Sequence, residues 1–405
     1  MKFGILRLSF PHVVSRVLIT TAFLIPGLAS PQAPLTVDTS GTLLLHGKPF
    51  RGIGVNVADA FWRVLANPAD TSYEATFATL ARRHVPFARI PACPYWPSEY
   101  GLYRNDPDAY FARLDGVVRA AEKSGVGLIL SLNWAHFAVP DLIGEPVNAW
   151  GKTDSATMAF MRRYTQVVVK RYLDSPAVWI WELGNEFSLA ADIEPLPPVV
   201  PTLGTPDARS DADRAATSDF IVAWTEFGKA VRELDSVRPI TTGNSLPRPP
   251  SEQLRRDKTW SPLDSRADLK VNLVLATPSP MNMMSVPLYP DDIKTARFAP
   301  DYHATYAELV TLCTEAAASF QKALFVGEFG APGSDASARE AIVAMIAAFV
   351  GSKVALAAVW NFDWRLGGGS QEEWNITETN ERSFILDAIE RANAEIASSH
   401  PRSSQ

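Results

Sequence analysis

The chain has 405 residues, 47% of them hydrophobic and 20% charged, and a formal net charge of −6. That balance supplies a large core and excludes a disordered chain, while the length suits one α/β barrel with insertions or two ordinary domains. Mild acidity without a basic patch excludes nucleic acid and anionic lipid as expected partners.

Lys2, Arg7 and Arg16 precede an apolar run over 17–25, and Pro26-Gly27 and the small residues Ala29 and Ser30 follow. A positive start, a short apolar core and small residues at its end form the pattern of a secretory signal. The run is too short and interrupted to span a bilayer comfortably. The expectation is cleavage after a signal peptide of 1–29, leaving a secreted or periplasmic protein without membrane attachment. Three cations and no acids leave with the signal, so the net charge moves from −6 to −9. Cys93 and Cys313 are the only cysteines, lie far apart, and are predicted to be free. No CxxC, HExxH or His/Asp cluster is present, so neither a metal nor a cofactor is expected.

The segment 30–49, with Thr39-Ser40-Gly41 between two short runs, predicts a β-hairpin. Alternation then begins: a strand over 50–57, a helix over 72–84, a strand over 87–91 and a helix over 106–124. Residues 126–133 form a nearly continuous apolar run, as in a strand buried on both faces. A helix over 153–172, a strand over 177–184, a helix over 211–234 and strands over 239–243 and 281–286 follow. The chain closes with a helix over 301–321, a strand over 323–328, a helix over 336–350, a strand over 354–362 and a helix over 381–397. Eight strands with helices between most of them favour a single (β/α)8 barrel over 50–397, with a loose polar tail at 398–405. No internal repeat or second domain is visible, and a monomer is expected.

Two long stretches interrupt the alternation: the Pro-rich 188–209 and 245–280. In a barrel both follow strands and fall on the face where βα loops build the active site. They are expected to be loops that could narrow a groove into a pocket.

Two acids sit where acids are unusual. Glu186 follows an apolar strand in WELGNEF, and Glu328 ends another in FVGEFG, so both lie at C-terminal strand ends on the catalytic face of a barrel. Paired carboxylates in apolar surroundings can divide into a protonated acid and an anion, which is what glycoside hydrolysis requires. Either acid alone could equally pair with an arginine or cap a helix. Glu182 reads as a structural partner deeper in the barrel.

GIGVN at 52–56, FARIPA at 87–92, WELGNEF at 181–187, SVPLYP at 285–290, FVGEFG at 325–330 and VWNFDW at 359–364 together resemble glycoside hydrolase family 5, in the clan of retaining (β/α)8 glycosidases. The resemblance covers essentially the whole mature chain. It implies a retaining hydrolase of β-linked glycans or oligosaccharides, with Glu186 as acid/base and Glu328 as nucleophile. It further implies that Asn185 meets the sugar 2-hydroxyl, that Arg89 and Tyr289 support the nucleophile, and that Trp360 floors the subsite at the scissile bond. Asn56, Asp59, Trp62, Tyr95, Trp96, Asn133 and Trp134, near strand ends, are further expected sugar contacts. Two positions depart from the family pattern. Pro287-Leu288-Tyr289 stands where His-X-Tyr is usual, and Asn133-Trp134 stands where the third strand often ends in His, with His136 further along. Pro287 offers no donor, which keeps a non-catalytic or weakly active sugar-binding barrel open as an alternative. A transglycosylase using the same residues is another. Asn375-Ile376-Thr377 matches a glycosylation sequon.

Overall fold

The structure is a computed structural model that describes residues 34–367 and 371–399. The expected signal peptide lies outside the described residues, as does most of the C-terminal tail. No described helix is long and apolar enough to cross a membrane.

Three short antiparallel strands open the described chain, β1 (Leu35–Val37), β2 (Leu43–Leu45) and β3 (Lys48–Pro49), where a two-stranded hairpin was expected. Eight parallel strands follow: β4 (Gly52–Asn56), β5 (Phe87–Pro91), β6 (Gly127–Asn133), β7 (Val178–Gly184), β8 (Ile240–Thr241), β9 (Met283–Leu288), β10 (Ala323–Phe329) and β11 (Leu356–Val359). They run β8-β7-β6-β5-β4-β11-β10-β9, so β4 pairs with β11 and the sheet curls into a barrel with its seam between β8 and β9. The Asn282 side chain bridges that seam by accepting from Ile240 N at 2.9 Å. Every residue of these strands is buried, which explains runs that are apolar throughout instead of alternating.

Caps set the helix boundaries and trim several expected ones. Asp106 accepts from Ala109 N at 3.0 Å and Pro107 starts the helix Pro107–Ser124, which ends at left-handed Gly125. Ser155 starts Ala156–Tyr172 and Thr305 starts Tyr306–Ser319, each a few residues later than periodicity alone suggested. The stretch 245–280 is not the loop expected. It folds into helices Ser251–Asp257 and Arg266–Leu275, the second nucleated by a reciprocal cap between Ser265 and Asp268.

The lower core of the barrel packs Phe87, Ile129, Ile180, Met283, Phe325 and Leu356 together with Leu35 and Leu43 of the N-terminal strands. The small sheet therefore packs against the barrel's interior core. The functional groups must then work at the opposite end, where strands β4, β5, β6, β7, β10 and β11 stop. Cys93 and Cys313 are both free and buried.

Candidate active site

Arg89, at the middle of β5, organises the upper end of the barrel. Its Nε donates to Glu182 Oε1 at 2.8 Å, Nη1 to Glu328 Oε1 at 2.8 Å, and Nη2 to Asn185 Oδ1 at 2.8 Å. Nη1 also reaches Asn56 Oδ1 at 3.3 Å, and the guanidinium lies 4.7 Å from the centroid of the Trp134 ring. Arg89 is 1% exposed and Glu182 is fully buried. One planar cation between two acids satisfies charges that would otherwise be costly to bury.

Glu328, near the end of β10, uses both oxygens as acceptors: Oε1 from Arg89 and Oε2 from the Tyr289 hydroxyl at 2.7 Å. That is the hydrogen-bonding pattern of a carboxylate. Burial and the adjacent Glu328 together push the Tyr289 phenol well above its ordinary range, so it stays a donor.

Glu186 is placed differently. The chain leaves β7 at Gly184, and Glu186 adopts left-handed backbone with φ 50° and ψ 36°, a conformation uncommon and strained for a residue with a side chain. Backbone bonds hold it there: Glu186 N donates to Gly243 O at 2.7 Å, and Asn185 N to Trp134 O at 3.0 Å. Gly243 has φ +70°, and a Cβ on it would lie 1.9 Å from the Gly184 carbonyl oxygen, so only glycine fits beneath the turn. The Glu186 carboxyl has no hydrogen-bond partner among the described residues. Desolvation, and then the charge of Glu328, push it up to about 8, against the opposing pull of Arg89.

A cavity of about 560 Å³ opens above these groups. Asn185, Glu186, Tyr289 and Glu328 line its polar part. Trp134 and Trp360, stacked at 6.2 Å between centroids, lie beside them, and Trp62, Tyr95, Trp96, Trp364 and Trp374 complete an aromatic surround. Trp360 is joined to Asn361 by a cis peptide bond.

The structure thus brings Glu186, Glu328, Asn185, Tyr289, Trp360, Trp134 and Trp96 to one cavity, with Trp62 and Tyr95. It does not bring Asn56, Asn133 or Asp59 there. Asn56 is fully buried and spends its amide on the Gly327 carbonyl at 3.0 Å and on Arg89. Asn133 is 1% exposed in the wall of the barrel. Asp59 is fully buried and accepts from the backbone N–H groups of Arg365 and Leu366. A polar residue at a strand end can be buried in the barrel as readily as stand over it, and none of these three lines the cavity. Arg89, expected to support the nucleophile, sits beneath the lining and donates to Glu328.

The long segments are also corrected. No residue of 188–209 or 245–280 lines the main cavity; residues of both line a separate space of about 40 Å³ around Arg248 and Trp224. The segment after β11 does line it, through Trp364, Leu366, Gln371 and Trp374. Gln371 and Trp374 carried no periodic signal in the sequence. Gln371 Oε1 accepts from Trp360 Nε1 at 3.0 Å, and Trp374 stands edge-on to Tyr289 at 5.5 Å. Pro287 pairs in register with Glu328 and lines a narrow recess below the two acids. His136 packs among Phe137, Phe187 and Phe220 away from the cavity, and burial followed by the nearby Arg209 charge lowers it to about 4.

Residues 44–365 match the family described as cellulase, glycosyl hydrolase family 5. Over 83 residues the chain is 43% identical to the probable mannan endo-1,4-beta-mannosidase F of Emericella nidulans, a match taking in 18% of each protein. Over 140 residues it is 31% identical to mannan endo-1,4-beta-mannosidase A of Hypocrea jecorina, or 32% of this chain and 26% of that protein. These matches span about a fifth to a quarter of the curated relatives' length. The endo-1,4-beta-mannanase of Rhizomucor miehei superposes with a TM-score of 0.65 at 16% identity, covering 90% of this chain and 99% of that one.

Proposed function

The chain belongs to glycosyl hydrolase family 5, and from that premise we propose that it cleaves β-1,4-linked mannose chains with retention, using Glu328 as nucleophile and Glu186 as acid/base. The observation that carries this reading is the opposite setting of two acids in one cavity. Glu328 gives both oxygens to fixed donors, whereas Glu186 has no partner among the described residues and is raised to about 8. An anion and a proton carrier side by side are the two parts that a double displacement needs.

In the first step a Glu328 oxygen bonds to the anomeric carbon as the glycosidic C–O bond breaks, and the leaving oxygen takes the Glu186 proton. In the second, a water molecule gives a proton to the Glu186 carboxylate, its oxygen attacks the anomeric carbon, and Glu328 leaves as carboxylate. Arg89 and Tyr289 hold Glu328 for attack. Asn185, whose Oδ1 is committed to Arg89, keeps its Nδ2 as donor for the sugar 2-hydroxyl. The mannan preference rests on the names of the partial relatives, and action outside the cytoplasm on the charged and apolar pattern of the first 29 residues.

The test is labelling with 2-deoxy-2-fluoro-β-mannosyl fluoride followed by peptide mass spectrometry. A covalent adduct is expected on the peptide containing Glu328. An adduct on another acid, or an α-anomer as the first product of an unmodified β-linked substrate by NMR, rejects the assignment.

A further inference from the structure

We infer, building on the double-displacement reading above, that the glycone side of the cavity is a blind pocket, so that the enzyme works from the non-reducing chain end and does not cleave internally. The acid must stand beside the leaving group, so the leaving group lies toward Glu186 on β7. The retained sugars lie on the other side, over the ends of β11, β4 and β5. The cavity extends that way: apart from the strand-end groups, it is lined from the segments after those three strands.

Those segments meet in one continuous aromatic wall. Trp364, after β11, contacts Trp62 after β4 at 6.5 Å between centroids, and Trp62 contacts Tyr95 after β5 at 5.5 Å. Tyr95 contacts Trp96 at 5.0 Å. All four pairs of neighbours along this path, including Trp96 with Phe137 at 5.5 Å, meet edge-on or tilted, so the rings pack against one another along the wall.

The wall is fixed by polar groups. Asn375 holds the Trp364 backbone from both sides, accepting from its N–H at 2.8 Å and donating to its carbonyl at 3.0 Å. Buried Asp59 accepts from the next two amides and pairs with Arg63, on the same helix as Trp62. Trp62 Nε1 is tied to the Cys93 carbonyl at 2.8 Å, and Glu99 caps the amides of Tyr95 and Trp96 at 3.0 and 2.9 Å. Three loops are thereby locked to one another. The cavity of about 560 Å³ falls within the ~300–1,000 Å³ of small-molecule pockets, and this wall bounds it on the glycone side. Asn375, the sequon residue, is a structural member of this wall.

The full-length mature enzyme is tested with p-nitrophenyl β-mannotetraoside, free or blocked at its terminal 4- and 6-hydroxyls by a benzylidene cap, with nitrophenol and oligosaccharide release followed together. The free substrate should lose short units from its non-reducing end from the first time points, and the capped one should react about 100-fold slower or less. Trp364→Ala and Trp62→Ala should narrow that ratio at least about tenfold. Equal rates on capped and free substrates, with internal cleavage products, overturn the blind pocket and leave the double displacement standing. Absence of turnover on the free substrate, with no fluoro-sugar adduct on Glu328, overturns both.

Discussion

At the end of β10, Glu328 is 6% exposed and hands both oxygens to Arg89 and Tyr289, on a backbone that continues the strand. At the end of β7, Glu186 has no side-chain partner among the described residues and sits on strained left-handed backbone braced by Gly243. The two acids share a cavity and differ in almost everything around them. A group that must stay an anion and attack along one direction gains from being held at both oxygens. A group that must give and regain a proton cannot have its proton sites occupied, so the fold positions it through the backbone. The contrast teaches that fixing an acid and tuning an acid are separate tasks met by separate means.

Replacing Glu328 by Gln is the harshest way to break this contrast: turnover should fall by on the order of 10⁴-fold with circular dichroism unchanged. Arg89→Met attacks the same side from below. It leaves Glu182 and Glu328 buried without their cation, which should cost about 3–5 kcal/mol, read as a lowered midpoint in chemical denaturation together with loss of kcat.

Glu186→Gln strikes the other acid. The rate on unactivated substrates should drop by roughly 10²–10⁴-fold, and the alkaline limb of the wild-type profile, expected near pH 8, should disappear. Stability gives an independent reading of the same group. Because its folded pKa lies above that of an ordinary Glu, the folded state binds the proton more tightly than the unfolded one. Its favourable contribution is present in full below the ordinary Glu range and is lost as pH rises through about 8. The Gln variant should therefore gain thermal stability over wild type at alkaline pH and show no gain at acid pH.

Gentler changes sharpen the comparison. Gln371→Ala removes the acceptor of the Trp360 indole, which should cost about 1 kcal/mol, near fivefold in KM at about constant kcat. Arg248→Gln removes a positive charge that pulls the Glu186 pKa down. The alkaline limb should move to higher pH while the acid limb stays in place; a downward move would contradict the arrangement of charges around Glu186.

Much of the architecture could be read from local pattern. Continuous apolar runs such as 127–133 marked buried strands, and Asp106, Ser155 and Thr305 show why helix starts sit where they do. Local pattern failed at 245–280, where the Ser265–Asp268 cap and Leu269 and Leu273 specified a helix that the surrounding prolines obscured. In the site, Asn56, Asn133 and Asp59 were placed over the barrel because they end or follow strands, whereas each is buried in the scaffold outside the cavity lining. Gln371 and Trp374 had no local signature at all. They reach the cavity from a segment beside glycines, and Trp374 meets Tyr289 from two strands away.

The amino-acid sequence by itself determined the repeated βα order and put Glu186 and Glu328 at strand ends, because strand periodicity is written in neighbouring residues, while Asn185, Arg89 and Tyr289 around them were implied by the family resemblance. Only the tertiary structure decided that Arg89 joins Glu182, Glu328 and Asn185 at once, that Glu186 is held by backbone alone, and that Trp364, Trp62 and Tyr95 close one side of the cavity. Those outcomes depend on where eight strands stop once the barrel has curled β4 against β11. That closure brings residues some 300 positions apart, such as Arg365 and Asp59, into contact, and no local pattern carries it.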